Sequence, residues 1–255
     1  MAQPEHDMVV LAGGGGTRLG GVDKATLTLG GRSLLDRVLD AASATRQVVV
    51  VGRVSVPPHV LQTVEEPPGG GPVAGIVAGM AALARVGSTS RGADPAQVVA
   101  PAQTVVSTQA GISTQRAAPA HTAAPAHTAA PAQTAAPTQT AGPAPWTLVI
   151  AVDQPEAARA VADLLRVAAT AGPEVDMVCP EDESGHPQWL LAAYRTARLT
   201  SALAPFGSGH SVAVRRVVTG LRAVSVSTAH AGDIDTWDDH AHWVDRVEGP
   251  RGPKI

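Results

Sequence analysis

Short apolar runs separated by stretches of helical periodicity dominate the chain, and their order predicts a layered α/β fold. Residues 8–12, Met-Val-Val-Leu-Ala, are uninterrupted apolar positions of the kind a strand needs when both of its faces are covered. Ser33 and Asp36 have the spacing of a capping box and open a helix whose apolar positions include Leu34, Leu35, Val38 and Leu39. Residues 47–51 read as a second strand and residues 60–64 as a third. Pro72 suits the first position of a helix that carries Val73, Ile76, Val77, Met80 and Leu83 on its apolar side. Further on, the pattern predicts a strand at 147–152, a helix at 156–168 and a strand at 175–179. A strand or short hairpin follows around 188–192, then a helix from about Tyr194, a last strand at 223–226 and a C-terminal helix at 236–247. This alternation specifies three layers: a mostly parallel sheet with helices on both faces.

One stretch breaks the pattern. Between about 87 and 145 the periodicity stops, and residues 118–143 repeat a six-residue unit, Ala-Pro-Ala-His-Thr-Ala and its variants, built from small and polar residues with proline at fixed intervals. Proline at that spacing forbids helix and the composition offers no core, so the stretch reads as a disordered or polyproline-like insertion. His121 and His127 within it lack a nearby carboxylate or thiol, which makes a metal site there a poor reading. The expectation is a single domain, 1–255, interrupted at about 87–145.

Composition narrows the partners. A net charge of −3 supplies no electrostatic footprint for nucleic acid or for an anionic membrane. No apolar run approaches the roughly 18 residues of a membrane span. One cysteine, Cys179, excludes an internal disulfide; its neighbours Met177, Val178 and Pro180 supply no base, which favours a buried strand residue over a nucleophile. With no basic stretch at the N-terminus, the expected location is the cytoplasm.

The chemistry concentrates just after the first strand, in Leu11-Ala12-Gly13-Gly14-Gly15-Gly16-Thr17-Arg18-Leu19-Gly20-Gly21-Val22-Asp23-Lys24. Four glycines in succession let the backbone turn sharply and present bare amides as an anion-binding nest, and Arg18 and Lys24 add two cations. Lys24 is one of only two lysines, with Lys254, among 19 basic residues. The dinucleotide fingerprint fails in this loop, because the sixth position from Gly13 is Arg18 and from Gly14 is Leu19. The P-loop fails as well, since Ala25 follows Lys24. What remains resembles the signature of Rossmann-like nucleotidyltransferases: Leu-Ala-Gly-Gly, a variable stretch, Arg, Met or Leu, Gly, and then Asp-Lys. The intact run from Leu19 to Lys24 is most similar to the molybdenum cofactor guanylyltransferase family.

Three other stretches extend the picture. Asp153 ends the apolar run 148–152, at the carboxyl edge where open α/β sheets hold ligands. A carboxylate facing a triphosphate calls for a divalent cation between them, so Asp153 reads as a Mg²⁺ ligand, with capping of the next helix as the plainer alternative. The family resemblance favours the metal, although relatives continue Pro-Phe-Leu where this chain has Gln154-Pro155-Glu156-Ala157. Asp233-Ile234-Asp235-Thr236-Trp237-Asp238-Asp239 resembles the family motif Asp/Asn-x-Asp/Asn-Thr-Pro-x-Asp, with Trp237 in place of proline. That resemblance makes Asp235 a second metal ligand and Asp233 its support, and leaves Asp238 and Asp239 to cap a helix. Residues 65–75 are similar to the family's glycine turn that meets the base, which implies contacts from Gly71, Pro72 and Gly75. Residues 186–192 are similar to its acceptor side, with Gln188 and Trp189 as candidates; Trp189 serves equally well as a core residue.

Together these implied roles describe nucleotidyl transfer. Leu11, Ala12, Gly13, Gly14, Gly15, Gly16 and Thr17 would hold the triphosphate, Arg18 would offset charge on the departing pyrophosphate, and Lys24 would stabilise the α-phosphoryl oxygens. Asp153 and Asp235 would fix Mg²⁺. The resemblance implies GTP as donor, a molybdopterin-type acceptor and transient contact with proteins of the same cofactor pathway. A cytidylyltransferase, a sugar or small-phosphate transferase, and a non-catalytic nucleotide-binding paralogue stay open as alternatives.

Overall fold

The computed structural model describes residues 3–14, 19–89, 142–182 and 185–249. Most of the expected insertion, with its histidines, lies outside these residues, as do Gly15, Gly16, Thr17 and Arg18. Nine strands and six α-helices alternate along the described chain: β1 (His6–Leu11), β2 (Thr28–Leu29), β3 (Arg32–Ser33), α1 (Leu34–Leu39), β4 (Val48–Val51), β5 (Leu61–Thr63), α2 (Pro72–Thr89), β6 (Trp146–Ala151), α3 (Ala157–Ala168), β7 (Met177–Pro180), β8 (Leu191–Arg195), α4 (Thr196–Leu203), α5 (Val214–Val218), β9 (Ala223–Val226) and α6 (Trp237–Glu248).

Seven strands form one sheet in the order β5-β4-β1-β6-β8-β7-β9, and β2 pairs with β3 in a separate small hairpin. In the large sheet β8 alone runs against its neighbours, pairing antiparallel with both β6 and β7. The other pairs are parallel. Alternation along each strand divides the interior in two. Met8, Val10, Val50, Leu148 and Ile150 pack towards α1 and α3, meeting Leu35, Val38, Val161 and Leu164. Val9, Leu11, Val49, Val51 and Val149 face the other way, onto Val73, Ile76 and Leu83 of α2 and Leu199 of α4.

β1 starts at His6, two residues earlier than hydropathy predicts, because its first two polar side chains are buried with partners. His6 is bonded to Pro4 O at 2.8 Å and to the Thr45 hydroxyl at 3.1 Å. Asp7 accepts from Arg46 at both oxygens, at 3.0 and 2.8 Å.

The region around β8 differs from the sequence reading. The strand lies at 191–195 and not at 188–192, and Tyr194 belongs to it; α4 begins only at Thr196. The reason is burial: Leu191, Ala192, Ala193 and Tyr194 are all enclosed, and the Tyr194 hydroxyl donates to Trp189 O at 2.7 Å inside the fold. The hairpin half of that expectation fits the antiparallel return from β7, which also carries a bridge between Glu181 and Pro187.

Candidate functional site

The chain runs from β1 to β4 and β5 on one side, then crosses to β6 on the other, so the carboxyl ends of β1 and β6 flank a topological switch point. Open α/β sheets form a crevice at such a point. Here the crevice is a cleft of about 550 Å³, lined by Leu11, Ala12, Gly13 and Gly14 at the end of β1 and by Ala151, Val152 and Asp153 at the end of β6. The two ends are stitched together by Val152 N donating to Leu11 O at 3.0 Å, while Ala12 N ties the end of β1 to β4 by donating to Val51 O at 2.8 Å.

A third, smaller core carries the rest of the site. Leu19, Leu27, Leu29 and Leu34 pack against Ile234, Trp243 and Val244, which welds the segment after the glycine loop to the loop before α6. On that base Asp23 caps a 3-10 turn over Lys24–Thr26, its carboxylate accepting from Ala25 N at 3.0 Å. The turn directs Lys24 into the cleft. Ile234 is fully buried and its N–H donates to Asp153 O at 3.0 Å, so Asp233 and Asp235 are held at the end of β6.

The result is a compact charge cluster. Lys24 Nζ lies 2.8 Å from Asp153 Oδ2 and 2.6 Å from Asp235 Oδ1, joining residues 129 and 211 positions apart. Burial alone would lower the Lys24 ammonium, but the hydrogen bonds and charges of Asp153 and Asp235 override it and hold the group above the usual lysine range. Asp153, Asp233 and Asp235 each offer an oxygen, all within 4.8 Å of one another. Desolvation, followed by the charges of Asp153 and Asp235, pushes the Asp233 carboxyl above the ordinary range. Three carboxylates against one ammonium leave a net negative site built of hard oxygen donors, the donor set a small divalent cation prefers.

The helix-capping alternatives separate cleanly. Asp153 does not cap α3, whose N-cap position is Glu156 without a side-chain cap bond. Asp239 does cap α6: the Thr236 hydroxyl and Asp239 carboxylate form a capping box, and Asp239 Oδ2 also accepts from Asp235 N at 3.0 Å. The hydrogen bond from Thr236 leads the effects that hold the Asp239 carboxyl below the usual range. Asp239 therefore orients the backbone of Asp235 as well as starting a helix.

On the far side of the cleft, Gly71, Pro72 and Gly75 line the wall as the opening of α2, joined by Glu65 and Gly69. Gly75 permits close approach, since a Cβ there would stand 3.0 Å from Leu11 Cδ2. Gln188 and Trp189 do not line the cleft. Gln188 bonds Asp182 Oδ2 at 3.1 Å, and Trp189 packs against the core beneath α2. Leu190, the next residue, does reach the cleft, as does Val51. Sequence reading passed over both, and the signal for Val51 was its place at the carboxyl end of a strand beside β1. Cys179 is buried in β7, and burial pushes its thiol up to about 11, well removed from nucleophilic use.

A switch-point cleft with a glycine-rich wall and a lysine–carboxylate cluster on a seven-stranded, mostly parallel sheet defines the Rossmann-like nucleotidyltransferase class. The family model described as "MobA-like NTP transferase domain" matches residues 8–224, and the chain belongs to that family. Over 78 residues it is 41% identical to a molybdenum cofactor guanylyltransferase of Acidiphilium cryptum, a match that covers 28% of this chain and 40% of that relative. Among solved structures it is similar to molybdopterin-guanine dinucleotide biosynthesis protein A from Archaeoglobus fulgidus, with a TM-score of 0.56 and 18% identity over 95% of this chain and 98% of that one. A nucleotidyl transferase from Methanothermobacter aligns with a TM-score of 0.54 and 16% identity, over 96% and 98% of the two chains. Among the described residues no helix is long and apolar enough to cross a membrane.

Proposed function

We propose that this protein transfers GMP from GTP to the phosphate of a molybdopterin-type acceptor and releases pyrophosphate. The observation that carries the reading is Lys24 bridging Asp153 and Asp235 beside the glycine wall of the switch-point cleft. Family membership and the partial likeness to a molybdenum cofactor guanylyltransferase support the donor and acceptor.

An oxygen of the acceptor phosphate forms a bond to the α-phosphorus, the bond from that phosphorus to the bridging oxygen breaks, and pyrophosphate leaves with the electron pair. Both reactants are anions, so the protein's task is alignment and neutralisation of charge. Backbone amides at Gly13 and Gly14 cradle the triphosphate beside Leu11 and Ala12, and Gly15, Gly16 and Thr17, outside the described residues, are assigned to the same role. Arg18, also outside the described residues, is assigned the offset of charge on the departing pyrophosphate. Lys24, held charged by its two carboxylates, offers a positive charge to the α-phosphoryl oxygens. Asp153 and Asp235, with Asp233 beside them, would hold Mg²⁺, which when bound supplies charge neutralisation across the phosphates. Gly71, Pro72 and Gly75 approach the base closely.

The test is pyrophosphate release with GTP or CTP, Mg²⁺ and candidate acceptors. The expected result is turnover with GTP and a molybdopterin-type acceptor, lost in Lys24→Ala and in Asp153→Asn. Preference for CTP would reassign the donor, and tight GTP binding without turnover would mark a non-catalytic binder.

A further inference from the structure

The glycine turn that faces the nucleotide base has little means of holding its own shape. Residues 69–71 are three consecutive glycines, and Gly69 and Gly71 both take positive φ, at 79° and 84°. Such a segment has more freedom than any other composition allows, and a wall that reads a flat base must be fixed before the base arrives. One side of the turn is secured locally, by Gly69 N donating to Glu65 Oε1 at 3.1 Å.

The other side is secured from a distant part of the chain, the connection between α4 and α5. Ser211 N donates to Gly70 O at 2.8 Å. Gly209, buried and at φ 71°, sits so close to the start of α2 that a Cβ on it would stand 2.9 Å from Val73 C and 3.0 Å from Ala74 N. Gly70 is equally confined, since a Cβ there would meet Ala74 Cβ at 2.6 Å and His210 Nδ1 at 2.9 Å. Ser211 keeps a positive φ of 57°, rare for a residue with a side chain, in order to present its N–H to the turn. Phe206 and Val212 anchor the two ends of this loop on the core shared by α2 and α4. None of residues 206–212 lines the cleft.

We propose that the loop at 206–212 is a clamp that fixes the base-facing turn, so that Gly209 and Ser211 are positioning residues for nucleotide affinity and for discrimination between GTP and CTP. This rests on the nucleotidyl-transfer reading above. Because the loop stands behind the turn and away from the phosphates, loosening it weakens binding of the base and spares the chemical step.

The full-length protein with the variants Gly209→Ala, Ser211→Pro and Ser211→Gly tests this. KM and kcat are measured for GTP and CTP at fixed acceptor, with Tm as a check on folding. Gly209→Ala pushes against the backbone of α2, and Ser211→Pro both removes the donated N–H and, with φ fixed near about −65°, forbids the positive φ. Each is expected to raise the KM for GTP about tenfold, hold kcat within about twofold and narrow the preference for GTP over CTP. Ser211→Gly keeps the N–H and the positive φ and is expected to behave as wild type. Hydrogen exchange on the wild type reads the same coupling without a substitution: saturating GTP with Mg²⁺ should slow exchange in 207–212 along with 69–72. Unchanged KM in a folded, active Gly209→Ala variant, or protection of 69–72 with none in 207–212, overturns the clamp. Absence of turnover by the wild type with any nucleoside triphosphate would instead overturn the functional reading.

Discussion

Replacing Lys24 with alanine removes the ammonium that joins the Asp153 and Asp235 carboxylates and leaves three acids within 4.8 Å. At the observed 2.8 and 2.6 Å, each pair has a gross Coulomb attraction of about 6 kcal/mol at an effective dielectric of about 20. Most of that is cancelled by the desolvation already spent on the three groups, and the Asp235 side chain is 43% exposed, so water screens its share. The net cost to stability is about 1–2 kcal/mol, a fall in Tm of roughly 2–8 °C for a chain of this size. Catalysis should suffer more, because a fixed charge aimed at a developing oxyanion is worth about 10²–10³ in kcat, roughly 3–4 kcal/mol. Removing the ammonium also sharpens the site's demand for a cation. Added Mg²⁺ should therefore stabilise Lys24→Ala more than the wild type, the variant's own gain being about 2.7 kcal/mol at a hundredfold excess over its dissociation constant. The assays are continuous pyrophosphate release and thermal unfolding across a Mg²⁺ titration. Turnover within a few-fold of wild type would refute the role given to Lys24, and equal Mg²⁺ shifts in the two proteins would refute the charge balance.

Other substitutions probe the frame around the site. Gly52→Ala would place a Cβ 2.7 Å from Ala12 O at φ 149°, forcing the end of β1 away from β4; a loss of about 1–3 kcal/mol and weaker GTP binding are expected by thermal melt and titration. Arg46→Ala strands the buried Asp7 carboxylate, and breaking a buried pair of this kind costs about 3–5 kcal/mol, visible as a lower urea midpoint at unchanged slope. Asp176 is buried and held below the usual carboxylate range, first by the hydrogen bond from Arg222 N and, against the opposing effect of burial, by the charges of Arg198 and Arg222. A depressed folded pKa gives stability that is complete above the unfolded value of about 3.9 and is lost as pH falls through the folded value. The advantage of wild type over Asp176→Asn should accordingly be full at neutral pH and shrink on acidification below about pH 4, as read from urea unfolding at each pH. A difference that persists unchanged into acid would count against that ion pair.

Much of the fold was legible because single-strand hydropathy and helix caps are local signals. Ser33 accepts from Asp36 N as the capping-box spacing implied, α2 opens at Pro72, and β9 spans the predicted residues. What failed was the stretch whose signal is not local. The sequence pattern starts a helix at about Tyr194, yet Arg195 stays in the strand by lying over the Trp146 ring, 4.6 Å from its centroid, and by donating to Val175 O. The site divides in the same manner. Asp153 and Asp235 were nameable from their motifs, and the reason they meet Lys24 was not, because it depends on β6 settling beside β1 and on Ile234 filling the small core under the loop. The clamp on residues 69–71 left no mark at all: Gly209 and Ser211 carry no chemistry, and only close approach reveals them.

Trp237 shows how a departure from a motif can leave geometry intact. It occupies the first position of α6, where the family motif has proline, a residue whose fixed φ and missing N–H suit a helix start. In this chain the start is defined instead by hydrogen bonds: Thr236 accepts from Asp239 N, and Asp239 in return accepts from the N–H groups of Thr236 and Asp235. Trp243, one helical face further on, adds a contact from its indole N–H to Asp233 O at 3.3 Å. The backbone carrying both carboxylates is thus held at Asp233, Asp235 and Thr236 without the proline. Asp235 remains 2.6 Å from Lys24, so the substitution that most separates this loop from the motif changes the means of fixing the acid and not its position against the lysine.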